Sequence, residues 1–304
     1  MHDSQLKDKF KKHWHSVTSE NAKALPIIPA DLSSHLLKIS TLKSHKEIDC
    51  LENYCYYTQK SLYVSTACLR LVANTYRNRF FSRAKILEDD VLINIWVIAD
   101  QVINIYNLQA KRSEPSSVSS NARRNRDRTI EEMQRKKVGR KSDLIICNDS
   151  GLELGCGEGG LDGEEFDTKV IVESSLKTPK VMHDIFVRLC SSVENKQEVI
   201  KRLQIVGLVF SRFKMRMLIM DCPNGYACRL RSTTTAVFSG KEESLGSDFC
   251  KAYQLIWKTK EVCKETESIV ENCMSTVEIN FESDDDSNDD KIYLSDSLRS
   301  PKRD

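Results

Sequence analysis

Two acids, Asp143 and Glu158, stand toward the outer ends of a segment reading GRKSDLIICNDSGLELGCGEGG from Gly139 to Gly160. Between them lie two short apolar runs separated by Asn148, Asp149, Ser150 and Gly151, residues that favour a tight reversal. Two carboxylates at the ends of a hairpin are the minimum equipment for holding a divalent cation against phosphate. An even-length loop centred on Asp149 and Ser150 pairs Cys147 with Leu152, Asp143 with Cys156 and Lys141 with Glu158. Alternation along the strands then gathers Lys141, Asp143, Cys156 and Glu158 on one face. Asp143 and Glu158 become diagonal neighbours roughly 7–8 Å apart at the backbone. A loop of odd length would send Asp143 to the opposite face. The ordinary alternative is a pair of acids that merely cap solvated strand ends.

The approach to this hairpin is strongly basic. Arg123, Arg124, Arg126, Arg135, Lys136, Lys137 and Arg140 outnumber the acids around them, and such a cluster beside a cation site is where a phosphate backbone would be gripped. A solvated helix face, or a nuclear import signal in RKKVGRK, accounts for the same residues.

An acid on one strand, a hairpin and a second acid on the next strand resemble the PD-(D/E)XK nuclease superfamily, the restriction-endonuclease-like fold. The resemblance covers roughly Glu88 to Arg231, and the quoted phrase also resembles a group of uncharacterised fungal proteins placed near that superfamily. It implies that Asp143 is the metal-binding aspartate, that Glu158 is the glutamate of the E-x-K element, and that Mg²⁺ or Mn²⁺ is the cofactor. Nucleic acid, DNA or RNA, is the implied partner, and phosphodiester hydrolysis the implied reaction. The third position of E-x-K is Gly160, so the ammonium that positions or polarises the attacking water must come from elsewhere. Lys141, expected to face Glu158, is the first replacement, and Lys177 on the following helix the second. Glu132, on a helix expected over Thr129 to Lys137, is a third metal ligand by the same resemblance, against a plain helical salt bridge to Arg135 or Lys136. The missing lysine keeps a second reading open, a catalytically inactive relative that binds nucleic acid or serves as a protein-interaction scaffold.

The elements that must position these residues are those of an α/β protein: a restriction-endonuclease-like mixed β-sheet core flanked by helices, with a helical N-terminal region. Residues 1–30 read as a poorly ordered entry, and 31–112 as helices packed on the core. Leu32, His35, Leu36 and Ile39 form one apolar stripe there. Tyr54, Tyr57, Leu62, Cys68, Leu69 and Val72 suggest a longer buried helix, and the tyrosines Tyr54, Tyr56, Tyr57 and Tyr63 read as core rather than as a base-stacking platform. Glu88, Asp89 and Asp90 precede VLINIWVIADQVINIYNL, acids that complement the dipole of a starting helix. Ser113 to Asn121, with Pro115 among serines, sets a linker over 113–127. The core follows over 128–240: the hairpin, a helix from about Asp167 to Ser192 kinked or divided at Pro179, and strands between Gln204 and Phe238. This order fits an αβββαβ plan with one strand unassigned. A closing helix spans 241–278, and an acidic tail over 279–304 reads as disordered.

Composition sets the outer bounds. The chain has 304 residues, 40% hydrophobic and 30% charged, as an ordinary globular protein does. No apolar run approaches the roughly 18 residues of a membrane helix, and the charged start lacks a signal-peptide core, so an intracellular protein, nuclear or cytoplasmic, is expected. The 11 cysteines include no C-x-x-C pair, which argues against a zinc ribbon or a disulfide framework.

Overall fold

The computed structural model describes residues 22–126, 128, 135–160, 176–224, 227–279 and 291–294. Helix α1 (Ala30–Ser40) starts directly after Pro29, carries Asp31 in its first turn and Lys38 in its last, and buries the stripe Leu32, His35, Leu36 and Ile39. Helix α2 (Lys60–Arg77) buries Leu62, Cys68, Leu69 and Val72. Tyr56 and Tyr57 lie in the turn before it, and Tyr56, Tyr57 and Tyr63 are exposed, which corrects the reading of these three as core; Tyr54 is half-buried against the core as expected. The helical pattern did continue through them, but the helix itself begins only at Lys60.

The apolar run after Glu88 forms two helices, α3 (Glu88–Asn94) and α4 (Val97–Ile103), rather than one. They are separated at Trp96, which sits buried between Phe210 and Phe238 and donates its indole N–H to the Arg212 carbonyl at 2.8 Å. Strand β1 (Leu108–Lys111) follows, so the sheet begins inside the region expected to be helical. The expected linker is also corrected. Helix α5 (Val118–Arg124) starts at Ser117, whose hydroxyl accepts from the Ser120 amide. The buried Glu153 carboxylate accepts from Ser117 Oγ and from the amides of Val118 and Ser119, so serines that looked like linker composition are a helix start tied to the sheet.

Strands β2 (Leu144–Asn148) and β3 (Glu153–Glu158) make the anticipated hairpin. Helix α6 (Thr178–Ser192), the short α7 (Gln197–Ile200), and strands β4 (Gln204–Ser211), β5 (Lys214–Asp221), β6 (Arg229–Ser232) and β7 (Ala236–Val237) follow. Pro179 lies in the first turn of α6, where its missing N–H costs nothing. The part of that helix expected before residue 176 lies outside the described residues. Helix α8 (Leu245–Ile279) closes the fold.

Among the described residues the strands form one seven-stranded mixed sheet in the order β1-β2-β3-β4-β5-β6, with β7 also on β5. Among these described strands only β3 and β4 run parallel, as the crossover through α6 requires, and the other pairings are antiparallel. A Cβ on Gly207 of β4 would meet Met182 Sδ at 2.7 Å and Thr178 Cγ2 at 2.8 Å, so α6 lies close on that face. Phe210, of opposite parity on the same strand, meets Trp96, which puts α4 on the other face with α8 packed against it. In the tail, Lys291 bridges to Lys196 and the Ile292 amide donates to the Asn195 carbonyl at 3.0 Å, so at least 291–294 is an ordered contact, a correction to the reading of 279–304 as disordered throughout. Among the described residues no helix is long and apolar enough to cross a membrane.

Candidate functional site

The hairpin turns by a route the even-loop arithmetic did not foresee. Asn148 pairs with Leu152 through its amide, at 3.1 Å, leaving a three-residue loop of Asp149, Ser150 and Gly151. Gly151 takes φ +82, which a side chain would oppose. The Asn148 side chain accepts from the Leu152 amide and from Ser150 Oγ, at 2.8 and 2.7 Å, and so locks the turn. An odd loop alone would have sent Asp143 to the wrong face. A β-bulge corrects it: Cys147 pairs with Glu153 but Ile146 with Gly155, so Leu154 is an extra residue on β3. Beyond the bulge Leu144 faces Gly157, and the same register sets Asp143 directly opposite Glu158 rather than diagonal to it.

The register sets the two acids opposite each other, and Lys141 lies elsewhere. Lys141 Nζ pairs with Glu114 at 2.9 Å and its side chain is 64% exposed, which corrects the expectation that it faces Glu158. The ammonium against Glu158 Oε2 is that of Lys177, from the turn entering α6. Cys156 on the same face approaches the Thr178 carbonyl at 4.0 Å, so the start of α6 is laid along this side of β3. Asp143 Oδ2 accepts from the Gly159 amide at 2.6 Å, fixing the aspartate at the strand exit.

A third carboxylate, one the sequence reading took only for a dipole-complementing acid, belongs to the same place. The position that a Cβ on Gly159 would occupy is 3.2 Å from Glu88 Oε1 and 3.4 Å from Asp143 Oδ2. Both oxygens therefore border one small space beside Gly159, and glycine there keeps it clear. The signal available in sequence was the acid triplet opening α3. Glu132, the expected third ligand, lies outside the described residues, and residues 135–137 of the helix expected around it are not helical.

The electrostatics of Glu158 are unusual for a surface-end acid. Its side chain is 0% exposed, and burial pushes its carboxyl up from 4.5 to about 7, with the Asp143 charge adding to the rise and Lys177 opposing it. The neighbouring Ser142 hydroxyl favours the charged form, yet neither that hydroxyl nor Glu158 Oε1 reaches hydrogen-bond geometry with a partner among the described residues. A buried carboxylate oxygen without a donor is costly unless something else satisfies it.

The basic cluster divides. Arg123 Nε pairs with the fully buried Asp184 of α6 at 2.6 Å, and Arg140, half-buried, lies near the same aspartate with its pKa lowered by burial. These two hold α5 and the approach to β2 against α6, and are not presented to a ligand. Arg124, Arg126, Arg135, Lys136 and Lys137 are exposed. Arg123→Ala should therefore lower unfolding free energy by roughly 3 kcal/mol, because it leaves a buried aspartate short of its partner. Urea titration measures this; a loss under about 0.5 kcal/mol, the size of an ordinary surface substitution, would refute the structural role.

Among the described residues no group of three or more His, Cys, Asp or Glu side chains has the arrangement to hold a metal ion by itself. What is present is an acid pair with a third carboxylate at its border. No family model, curated protein or solved structure matches this chain.

Proposed function

We infer that the chain is a divalent-metal-dependent phosphodiester hydrolase acting on nucleic acid, built on a restriction-endonuclease-like core. The observation that carries the reading is the meeting of Lys177 with the buried Glu158 opposite Asp143. Gly160 stands where the superfamily has its lysine, and an ammonium from the adjoining helix reaches the same acid. With α5 taken as an insertion between β1 and β2, and α7 as one between α6 and β4, the order α3, α4, β1, β2, β3, α6, β4 is compatible with an αβββαβ plan in which β1 would be the first strand.

The residues fit a magnesium ion better than zinc. Mg²⁺ is commonly held by one or two carboxylates with water and substrate phosphate completing its shell, so a full protein cage is not required. Asp143 and Glu158 would hold it, with Glu88 at the border. Bound there, it would activate water and steady charge on the scissile phosphate. Glu158, with an oxygen that lacks a donor and a pKa of about 7, is poised to exchange a proton for a cation near neutral pH. Lys177 keeps Glu158 ionised at a lower pH than burial alone would allow, and its half-exposed ammonium would meet a phosphate oxygen or orient a water. The exposed Arg124, Arg126, Arg135, Lys136 and Lys137 supply the positive approach.

The test is incubation of the purified chain with labelled DNA and RNA, single- and double-stranded, in Mg²⁺ or Mn²⁺, beside Asp143→Ala and Glu158→Ala. Cleavage by the parent, lost in both variants, is the expected result. Binding without cleavage would leave an inactive nucleic-acid-binding relative, and neither binding nor cleavage would favour the protein-interaction scaffold. Either outcome overturns the hydrolase reading.

A further inference from the structure

Four tyrosine rings remain in water on one side of the helical region, gathered from three separate segments. Tyr56 and Tyr57 come from the turn before α2, Tyr63 from its first turn and Tyr106 from the turn before β1; all are exposed. Tyr56 lies edge-to-face with Tyr57 and with Tyr63, at centroid distances of 5.6 and 5.4 Å. Lys60 links the group to Tyr106, its ammonium standing 5.2 Å from the Tyr56 ring and 4.9 Å from the Tyr106 ring. From α8, Lys264 and the buried Lys260 approach the Tyr106 ring at 4.2 and 5.1 Å. Glu261 pairs with both, so it offsets part of that charge.

Tyr63 also forms one wall of a cavity of about 380 Å³. Tyr54, Thr66, Arg70, Asn53 and Gln101 line it beside Ala67 and Leu71; Arg70 donates to Asn53 Oδ1 at 3.0 Å, Tyr54 to Glu52 and Thr66 to the Leu62 carbonyl, a polar wall already held in place. That volume accommodates a small planar ligand with polar edges. Outside the cavity, exposed aromatic surface on this scale is costly to keep in water unless something covers it.

We propose that this surface is an accessory binding site for single-stranded nucleic acid. Bases stack on Tyr57, Tyr56 and Tyr106, one unstacked base enters the cavity beside Tyr63, and phosphates pass Lys60 and Lys264. Stacking accepts any base because every base offers a π-face, while a paired duplex offers none along its length. A protein partner is disfavoured by the lysines set among the rings, since lysine is depleted where protein surfaces meet. DNA and RNA single strands share the chemistry used. The proposal rests on nucleic acid being the substrate of the Asp143 and Glu158 site, and it adds a strand preference that those acids do not themselves supply.

The experiment is a fluorescence anisotropy titration, without divalent metal, of the full chain with labelled oligothymidylate, oligouridylate and a blunt DNA duplex. Cleavage in Mg²⁺ is measured separately. Tyr57 is almost fully exposed, so Tyr57→Ala should fold as the parent does, and it should weaken single-strand binding about tenfold while Tyr57→Phe stays near the parent. Lys60→Ala should weaken it and flatten its salt dependence. Duplex binding should not change in either variant. Oligothymidylate and oligouridylate held equally would mean that the ribose hydroxyl is not read; either held more tightly names the natural strand, and both results support the site. Parent-like binding by Tyr57→Ala and Lys60→Ala, in a protein that still cleaves, would overturn the platform and leave the hydrolase reading intact. Tyrosine-dependent binding without cleavage would support the platform and overturn hydrolysis. No binding of any single strand by the parent, or tyrosine-dependent self-association in its place, would overturn the platform.

Discussion

Lys177→Met is expected to lower nucleic-acid cleavage by about 10²–10³-fold, whereas Lys141→Met leaves it within about twofold. The contrast follows from where the two ammonium groups end. Lys177 closes on Glu158, and Lys141 is spent on Glu114 in an exposed pair of little energetic consequence. A methionine keeps the length of the side chain and removes its charge, so a loss of activity reports the ammonium rather than packing. The pH profile separates direct action from mere support. Lys177 lowers the Glu158 pKa against the rise imposed by burial, so its removal lets that pKa climb further. The acidic limb of the pH–rate profile should then shift to higher pH in Lys177→Met. A loss that recovers completely at alkaline pH would make Lys177 a positioning residue for the Glu158 charge. A loss that persists where Glu158 is fully ionised assigns it contact with substrate or water. Equal activity of Lys177→Met and the parent at every pH would sink the replacement of the E-x-K lysine by this residue.

How much of this was legible beforehand depends on what each feature needs. Period alone revealed the stripe Leu32, His35, Leu36 and Ile39, and apolar runs bounded by turn residues revealed β4 and β5, because those signals are local. The hairpin was legible from Asn148 to Gly151, but its register was not. Loop length and the bulge at Leu154 each shift the pairing by one; either alone would split Asp143 and Glu158 between faces, and together they leave both on one. Strand β1 is only four residues long, too short for a period to show, and it follows an apolar run whose break at Trp96 depends on Phe210 and Phe238 far along the chain. The serines before α5 looked like a linker because composition cannot show that Glu153 will reach across to hold their amides. Glu88 was read correctly as a helix-starting acid and incompletely as nothing more; its approach to Gly159 is a tertiary fact. The choice between Lys141 and Lys177 was of the same kind, since both were near in sequence and only the packing of α6 on β3 separates them.

The second large effect is one of stability. Glu158→Gln should unfold with more difficulty than the parent at pH 8, by up to about 3 kcal/mol, while losing cleavage. The sign follows from the direction of the shift. Glu158 titrates at about 7 in the folded chain, against an ordinary value of 4.5. Below the unfolded value the carboxyl is protonated in both states and costs nothing. As pH rises from about 4.5 to about 7 the unfolded chain gives up this proton while the folded chain keeps it, so stability falls across that window and stays reduced above it. A glutamine carries no charge to desolvate and escapes the penalty, so the advantage of the variant should grow over the same interval and vanish near pH 4. The loss of the Lys177 pair is already contained in this balance, because the shift is upward despite it. Metal supplies the discriminating arm: Mg²⁺ binding only to the folded chain raises parent stability with concentration, and the variant, deprived of a ligand, should respond far less. A Glu158→Gln chain less stable than the parent at pH 8 would mean that the ion pair outweighs burial and that Glu158 is a structural acid. A gain at pH 8 that Mg²⁺ erases would instead identify a residue kept charged, against the stability of the fold, for the cation it holds.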